Sequence, residues 1–392
     1  MDARWNRESV SRRSAGWWPA APARVRVVAS ERAPALVRER QQGERSRRCH
    51  PTNATVPNWS DRCTSPLESL ARPYPTFFPL IADASTDYPN EYIVDVPSMP
   101  SDDPVALDAA IPDLDWTVLP VGVTASRFDA PSGSLAVLEA GKRGNTRVVL
   151  VPGVTGSKED FVLMLPLLAA AGFHVMAYDM AGQYESSDAG PERLDPPRTH
   201  YDHDLFVGDL LAVLESEDGP AHVLGYSFAG TVAQIALTRR PEQFLSLTLL
   251  SAPPQAGQGF RGVKRIGWFS GLTSGRVGAA LMIWGVRQNF VHVPPGRLAF
   301  VRMRFEQTRR RSVADIISLM KRAPDLDAAL AQSPIPKLVA VGEHDLWPIE
   351  LHREFAESIR ATLAVYPTGH SPCETSPHQL VRDLLALYAK AS

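Results

Sequence analysis

Cysteine is scarce in this chain. Its 392 residues hold three, Cys49, Cys63 and Cys373, with no Cys-x-x-Cys spacing. An odd count without paired spacing excludes a disulfide-stapled scaffold and a cysteine-built zinc site. It fits a reducing compartment, and the expected location is cytoplasmic. Long apolar runs are also missing: the longest candidate, Val277 to Val286, falls well short of the roughly 18 residues that span a bilayer. The amino-terminus carries charges but no apolar signal-peptide core, which argues against secretion. Net charge is nearly absent, with 41 Lys and Arg against 43 Asp and Glu. Bulk charge therefore points to no nucleic-acid partner. No His/Cys/Asp cluster implies a metal, and Asp202-His203-Asp204 reads as the polar start of a helix.

What the chain does have is 44% apolar residues, enough for a sizeable core. They are unevenly placed. Residues 1–98 mix Arg, Pro, Ser and Trp without period 2 or 3.6, and Pro66, Pro73, Pro75 and Pro79 break regular elements. This stretch reads as a disordered Arg/Pro-rich extension. From about Trp116 the texture changes. Arg127 to Glu139 reads as strand, turn, strand, and Arg147 to Val151 as a buried strand. Asp160 to Ala171 has helical spacing, Phe173 to Asp179 is a strand, and Asp202 to Glu215 is a helix. Further strands are expected at Ser246–Leu250, Lys337–Val341 and Thr362–Tyr366, with helices at Ile349–Ile359 and Pro377–Ala389. Alternating strands and helices predict an α/β fold with a mostly parallel, doubly wound central sheet.

About 85 residues separate the strand ending at Leu250 from the one starting at Lys337. Ala279 to Val286, Leu298 to Glu306 and Val313 to Arg322 look helical there. An insertion at the carboxyl edge of a parallel sheet would sit over the ligand site. We therefore expect a core over 116–253 and 334–392, with a helical cap over 254–333.

The most telling stretch is Val223-Leu224-Gly225-Tyr226-Ser227-Phe228-Ala229-Gly230, an apolar run that ends in Gly-x-Ser and passes into helical sequence. A sharp strand-to-helix turn would expose the Ser227 hydroxyl and aim the Phe228 N–H at developing negative charge. Ser is a weak nucleophile until a base takes its proton. Two later strands run into suitable loops, Gly342-Glu343-His344-Asp345 and Gly369-His370. Ser227, Asp345 and His370 are thus candidate nucleophile, acid and base, with Glu343 and His344 as near rivals of Asp345. Upstream, Val151-Pro152-Gly153-Val154 offers a second backbone donor, the Val154 N–H. A phosphate loop there lacks the Gly-Lys-Ser/Thr ending.

These motifs, in this order, resemble the α/β-hydrolase fold family over residues 127 to about 391. Asp179-Met180-Ala181-Gly182-Gln183-Tyr184-Glu185-Ser186 is similar to the family's D-x-R-G-x-G-x-S turn, with Ala181 where Arg is common. The elbow also departs from G-x-S-x-G, with Ala229 in the fifth position. The resemblance implies a serine hydrolase with a helical cap. It would use no cofactor and would cleave an ester, thioester or lactone of a hydrophobic small molecule through an acyl-enzyme. A C–C hydrolase or cofactor-free perhydrolase with the same triad is the alternative, and a non-catalytic ligand-binding protein is the alternative of another class.

Residues 261–311 carry 11 basic residues and one acid, Glu306. The simple expectation is amphipathic helices with Arg facing outward. A positive rim steering an acidic substrate is the sharper one. Met99 is the first Met after Met1, close to where folded-looking sequence begins, and we expect the natural chain to start near it. Intact-mass measurement of the native protein checks this; a mass that includes Met1 contradicts it.

Overall fold

The computed structural model of this protein describes residues 103–257, 259 and 294–391. The extension expected over 1–98 and the helix expected at Ala279–Val286 lie outside the described residues. The centre of the fold is an eight-stranded sheet in the order β1-β2-β4-β3-β5-β6-β7-β8. The strands are β1 (Val123–Ala130), β2 (Gly133–Ala140), β3 (Arg147–Val151), β4 (His174–Tyr178), β5 (Ala221–Tyr226), β6 (Phe244–Leu250), β7 (Lys337–Gly342) and β8 (Thr362–Tyr366). The first hairpin joins antiparallel, and every pair from β4 to β8 is parallel.

Parallel strands need helical crossovers, and the crossovers cover both faces. Alternation along each strand shows it. Val149, Val151, Met176, Tyr178 and Val223 point into one core, with Leu205, Phe206 and Val232. Val148, Leu150, Val175, Ala177 and Leu224 point into the other, with Leu165, Leu380 and Leu384. The helices of the first face are α3 (His203–Leu214) and α4 (Phe228–Arg239), those of the second α2 (Met164–Ala170) and the last helix, α10 (Pro377–Tyr388). Asp202 caps α3, accepting from Leu205 N at 2.8 Å, as the polar start predicted.

Between β6 and β7 the described residues form α5 (Pro295–Gln307), α6 (Arg310–Met320) and α7 (Asp327–Gln332). After β7 come α8 (Ile349–Ser358) and the short α9 (Pro372–Thr375). The described residues include a helix ahead of Trp116, α1 (Pro104–Ala109). Asp103 caps that helix and Pro104 opens it. The Asp108 carboxylate then accepts from the backbone amides of His378 (2.8 Å) and Gln379 (3.2 Å), tying α1 to the first turn of α10.

His222, on β5, is buried, its ring stacked on Tyr388 at 3.8 Å and its Nδ1 2.8 Å from Ser246 Oγ. Burial pushes its imidazole down to about 4. The unfolded chain, at the ordinary value near 6.5, binds a proton that the folded chain refuses. The associated stability is complete above pH 6.5 and is lost as the pH falls through 4, by about 3 kcal/mol. Burial also raises the carboxyls of Asp209 and Asp179 to about 7, which acts in the opposite direction over the same range. The His222 contribution is therefore the difference between wild type and His222→Phe in urea unfolding at pH 7 and 4: the variant should lose less stability, or gain more, on going to pH 4.

Candidate active site

Strand β5 stops at Tyr226 and helix α4 starts at Phe228, so one residue, Ser227, makes the whole turn. Its backbone sits at φ 52° and ψ −120°, outside the regions that non-glycine residues favour. Two hydrogen bonds hold it: Ser227 N donates to Leu250 O at 2.8 Å, and Gly230 N donates to Ser227 O at 2.9 Å. The turn brings strand and helix into contact. A Cβ on Gly225 would lie 2.4 Å from Ala229 O, and one on Gly230 would lie 2.4 Å from Ala252 Cβ. Glycine is required at those two places. Ala229 itself is fully buried in the α4-side core, which accommodates its methyl group. The departure at the fifth position is therefore compatible with a sharp elbow.

Two later loops converge on Ser227. The turn after β7 and the loop after β8 are laced together: Glu343 N donates to Tyr366 O at 2.7 Å and His344 N to Thr368 O at 2.9 Å. Their contact is so close that a Cβ on Gly342 would lie 1.9 Å from Gly369 O. Glu343 and His344 contribute backbone and leave their side chains exposed, whereas Asp345 turns inward and is buried. His370 bridges the site. Its Nδ1 is hydrogen-bonded to Asp345 Oδ1, and its Nε2 lies 3.3 Å from Ser227 Oγ. Since an ionised carboxylate only accepts, Nδ1 carries the proton and Nε2 presents a lone pair to the hydroxyl. Burial pushes the Asp345 carboxyl up. The charge of His370 and hydrogen bonds from His352 and His370 outweigh burial and hold it below its ordinary 3.8.

The turn after β3 packs against the same serine. A Cβ on Gly153 would come within 2.9 Å of Ser227 Cβ and 3.5 Å of its Oγ. Gly156 N donates to Gly153 O at 3.0 Å, and Thr155 N donates to Gln183 Oε1 at 2.5 Å. Among the described residues no acceptor takes the amide of Val154 or of Phe228.

The structure also shows charged groups that sequence reasoning missed. Asp160, just beyond the β3 turn, is fully buried and paired with two arginines of α5, Arg297 at 2.8 Å and Arg304. Arg297 also pairs with Glu374, on the helix that follows His370. One guanidinium thus bridges the segments that follow Val154 and His370. Its face lies over the Trp116 ring at 4.4 Å. Burial and the two arginines act in opposite directions on Asp160, and the arginines prevail, holding it ionised. Arg297 and Arg304 contradict the expectation that the α5 arginines face outward: each is 6% exposed. A lysine does similar work nearby. Lys158 Nζ sits 2.7 Å from Glu159, 3.2 Å from Asp179 and 2.8 Å from Glu185, which anchors the Asp179 turn. Among the described residues no group of three or more His, Cys, Asp or Glu could hold a metal ion, and no helix is long and apolar enough to cross a membrane.

A sheet of this order, with a strained serine between the central strand and its helix, defines an α/β-hydrolase fold. The alpha/beta hydrolase family profile matches residues 148–384, more than half of the chain, and the chain belongs to that family. Among solved structures it is similar to a hydrolase from Pseudomonas aeruginosa, at 23% identity and a TM-score of 0.55, over 68% of this chain and 99% of that one. It is similar to the enol-lactonase of Burkholderia xenovorans at 18% identity and a TM-score of 0.55, over 67% and 99%. At these identities the likeness is one of fold. A polyketide synthase, ThaQ of Burkholderia thailandensis, is 30% identical over 131 residues. That match spans 33% of this chain and only 6% of the synthase.

Removing Arg297 leaves Asp160 and Glu374 buried with less positive charge beside them. Breaking a buried pair from one side costs about 3–5 kcal/mol. Arg297→Met should lower unfolding stability by that amount in a denaturant titration, and Arg302→Met, at an exposed position of the same helix, should change it by less than about 0.5 kcal/mol.

Proposed function

We propose that this protein is a serine hydrolase that cleaves an ester, thioester or lactone of a hydrophobic small molecule through an acyl-enzyme. One observation carries the reading: the continuous line Ser227 Oγ, His370 Nε2, His370 Nδ1, Asp345, starting at a strained elbow. His370 Nε2 takes the hydroxyl proton as Ser227 Oγ attacks the substrate carbonyl carbon. The carbonyl oxygen becomes an oxyanion beside the Val154 and Phe228 amides. Asp345 holds the imidazolium in place. His370 then gives its proton to the leaving oxygen or sulfur as that bond breaks, leaving Ser227 acylated. Water, deprotonated by the same His370, hydrolyses the acyl group and restores the serine.

Family membership supports a hydrolase, and the named lactonase supports an acyl–oxygen bond as the one cleaved. We further propose that the helices between β6 and β7 act as a cap and shape the acyl pocket. The buried Arg297 bridge attaches α5 to both the β3 turn and the His370 loop, which supports that placement.

A fluorophosphonate probe should label the wild-type protein and fail to label Ser227→Ala. Turnover of p-nitrophenyl esters should fall at least about 10⁴-fold in that variant, the scale for loss of a serine nucleophile. Turnover retained in Ser227→Ala overturns the assignment, and labelling without turnover of any ester, thioester or lactone favours the C–C hydrolase alternative.

A further inference from the structure

Asp345 has two oxygens, and the proposed mechanism uses one. The other, Oδ2, accepts from His352 Nε2 at 2.8 Å, and the side chains of both residues are fully buried. His352 lies in the first turns of α8, seven residues after Asp345. Trp347 packs between the two histidines, with ring centroids 6.2 Å from His352 and 6.0 Å from His370. The indole is itself pinned, its Nε1 donating to Gly259 O at 2.8 Å. The carboxylate therefore sits between two imidazoles on opposite oxygens.

A histidine here is not what packing alone would select. To donate to Oδ2 the ring must carry its proton on Nε2, and Nδ1 then finds no partner among the described residues. Leaving a buried polar atom unmet costs about 1–3 kcal/mol, which a leucine or phenylalanine would avoid. The hydrogen bond that the ring does make lands on the group that orients His370.

We propose that His352 is a positioning residue for the reaction, acting through Asp345; the inference rests on the Ser227–His370–Asp345 reading above. By holding Oδ2 it stops the carboxylate from rotating and keeps Oδ1 aimed at His370 Nδ1. It also stabilises the carboxylate as an anion in a buried setting, so the proton stays on His370 as the imidazolium forms. Among the described residues, the ionisable groups that face His370 are Asp345 and, through it, His352, with the phenol ring of Tyr226 at 5.4 Å. Burial raises that phenol well above its ordinary value, and it stays neutral throughout.

The test compares His352→Leu and His352→Gln in the full chain, with p-nitrophenyl ester turnover measured against pH. Glutamine can place an amide N–H near the position of the imidazole Nε2; leucine cannot. The leucine variant should lose about 10- to 100-fold in kcat, with KM changed by less than about 2-fold. Without the second donor Asp345 becomes more basic and favours the imidazolium, so the acid limb of kcat/KM should move to higher pH. The glutamine variant should recover most of kcat and return the limb. An unchanged kcat and limb in a folded His352→Leu protein overturns the proposal, as does a fall in kcat with the limb unmoved in both variants. If the leucine variant does not fold, nitrogen-15 NMR of the wild-type histidines decides. A His352 ring protonated at Nε2 supports the proposal, and one protonated only at Nδ1 overturns it. Ser227→Ala keeps the two readings apart: an active Ser227→Ala protein removes the triad itself, while an inactive one beside a normal His352→Leu removes only the role of His352.

Discussion

Everything at this site depends on the backbone of one residue. Ser227 is held at φ 52° and ψ −120°, a conformation that costs on the order of 1–3 kcal/mol and persists only where its surroundings enforce it. Those surroundings are the middle of the sheet. β5 lies between β3 and β6, and the hydrogen bond from Ser227 N to Leu250 O ties the turn to the end of β6. The near contact of Gly225 with the backbone of Ala229 leaves no room for a gentler bend. The strain projects the hydroxyl out of the sheet, where loops from β3, β7 and β8 can reach it.

Those loops, and the turn after β4, carry carboxylates that a protein interior would normally reject. Each is kept by cations or donors brought from elsewhere in the chain. Asp345 receives two imidazoles, Asp160 two guanidiniums, and Asp179 an ammonium together with the amides of Lys158 and Glu185. A buried charge is costly unless partnered, so such pairs are poor sources of net stability. They are good sources of geometry. Each charged group admits few arrangements of its neighbours, and the neighbours here are the segments that carry Val154, Asp345 and His370. Tyr226 adds a neutral version of the same device, its hydroxyl 2.8 Å from Ser371 Oγ, next in sequence to His370.

The parts of this arrangement that could be read from sequence are the parts set by local pattern. β3 and β8 fall where the apolar runs placed them, β3 as a continuous buried segment inside the parallel sheet and β8 as its edge strand, with Thr362 and Val365 exposed. Asp345 and His370 could be read because each follows such a strand. The expected helix from Asp160 to Ala171 was too simple: the chain makes a 3-10 turn at Lys158–Phe161 and then α2. That turn is set locally by a capping box between Ser157 and Asp160, a readable S-x-x-D pattern, and is then tied over a long range by the pairing of Asp160 with Arg297 and Arg304 of α5, 137 and 144 residues away. No local pattern could show that long-range tie. α1 is a different kind of miss. Asp103-Pro104 was a readable helix start, but six residues are too short for periodicity to register. His352 lay in a correctly expected helix, and its link to Asp345 crosses a turn whose path the spacing does not set.

The buried arginines also change how the basic stretch between β6 and β7 is understood. Counted from sequence, 11 basic residues over 261–311 suggest a strong positive field. Among the described ones, Arg297 and Arg304 are buried and neutralised by Asp160 and Glu374, and Arg309 is paired with Glu192. Arg302, Arg310 and Arg311 remain exposed. A field in solution comes from the charges that are left after pairing, and screening confines it to about 8–10 Å at ordinary ionic strength. Two of the six described basic side chains here are therefore engaged inside the protein, and Arg309 is paired at its surface. The buried pair attaches α5 to the segments that carry Val154 and His370, and any field felt in solution comes from the exposed remainder.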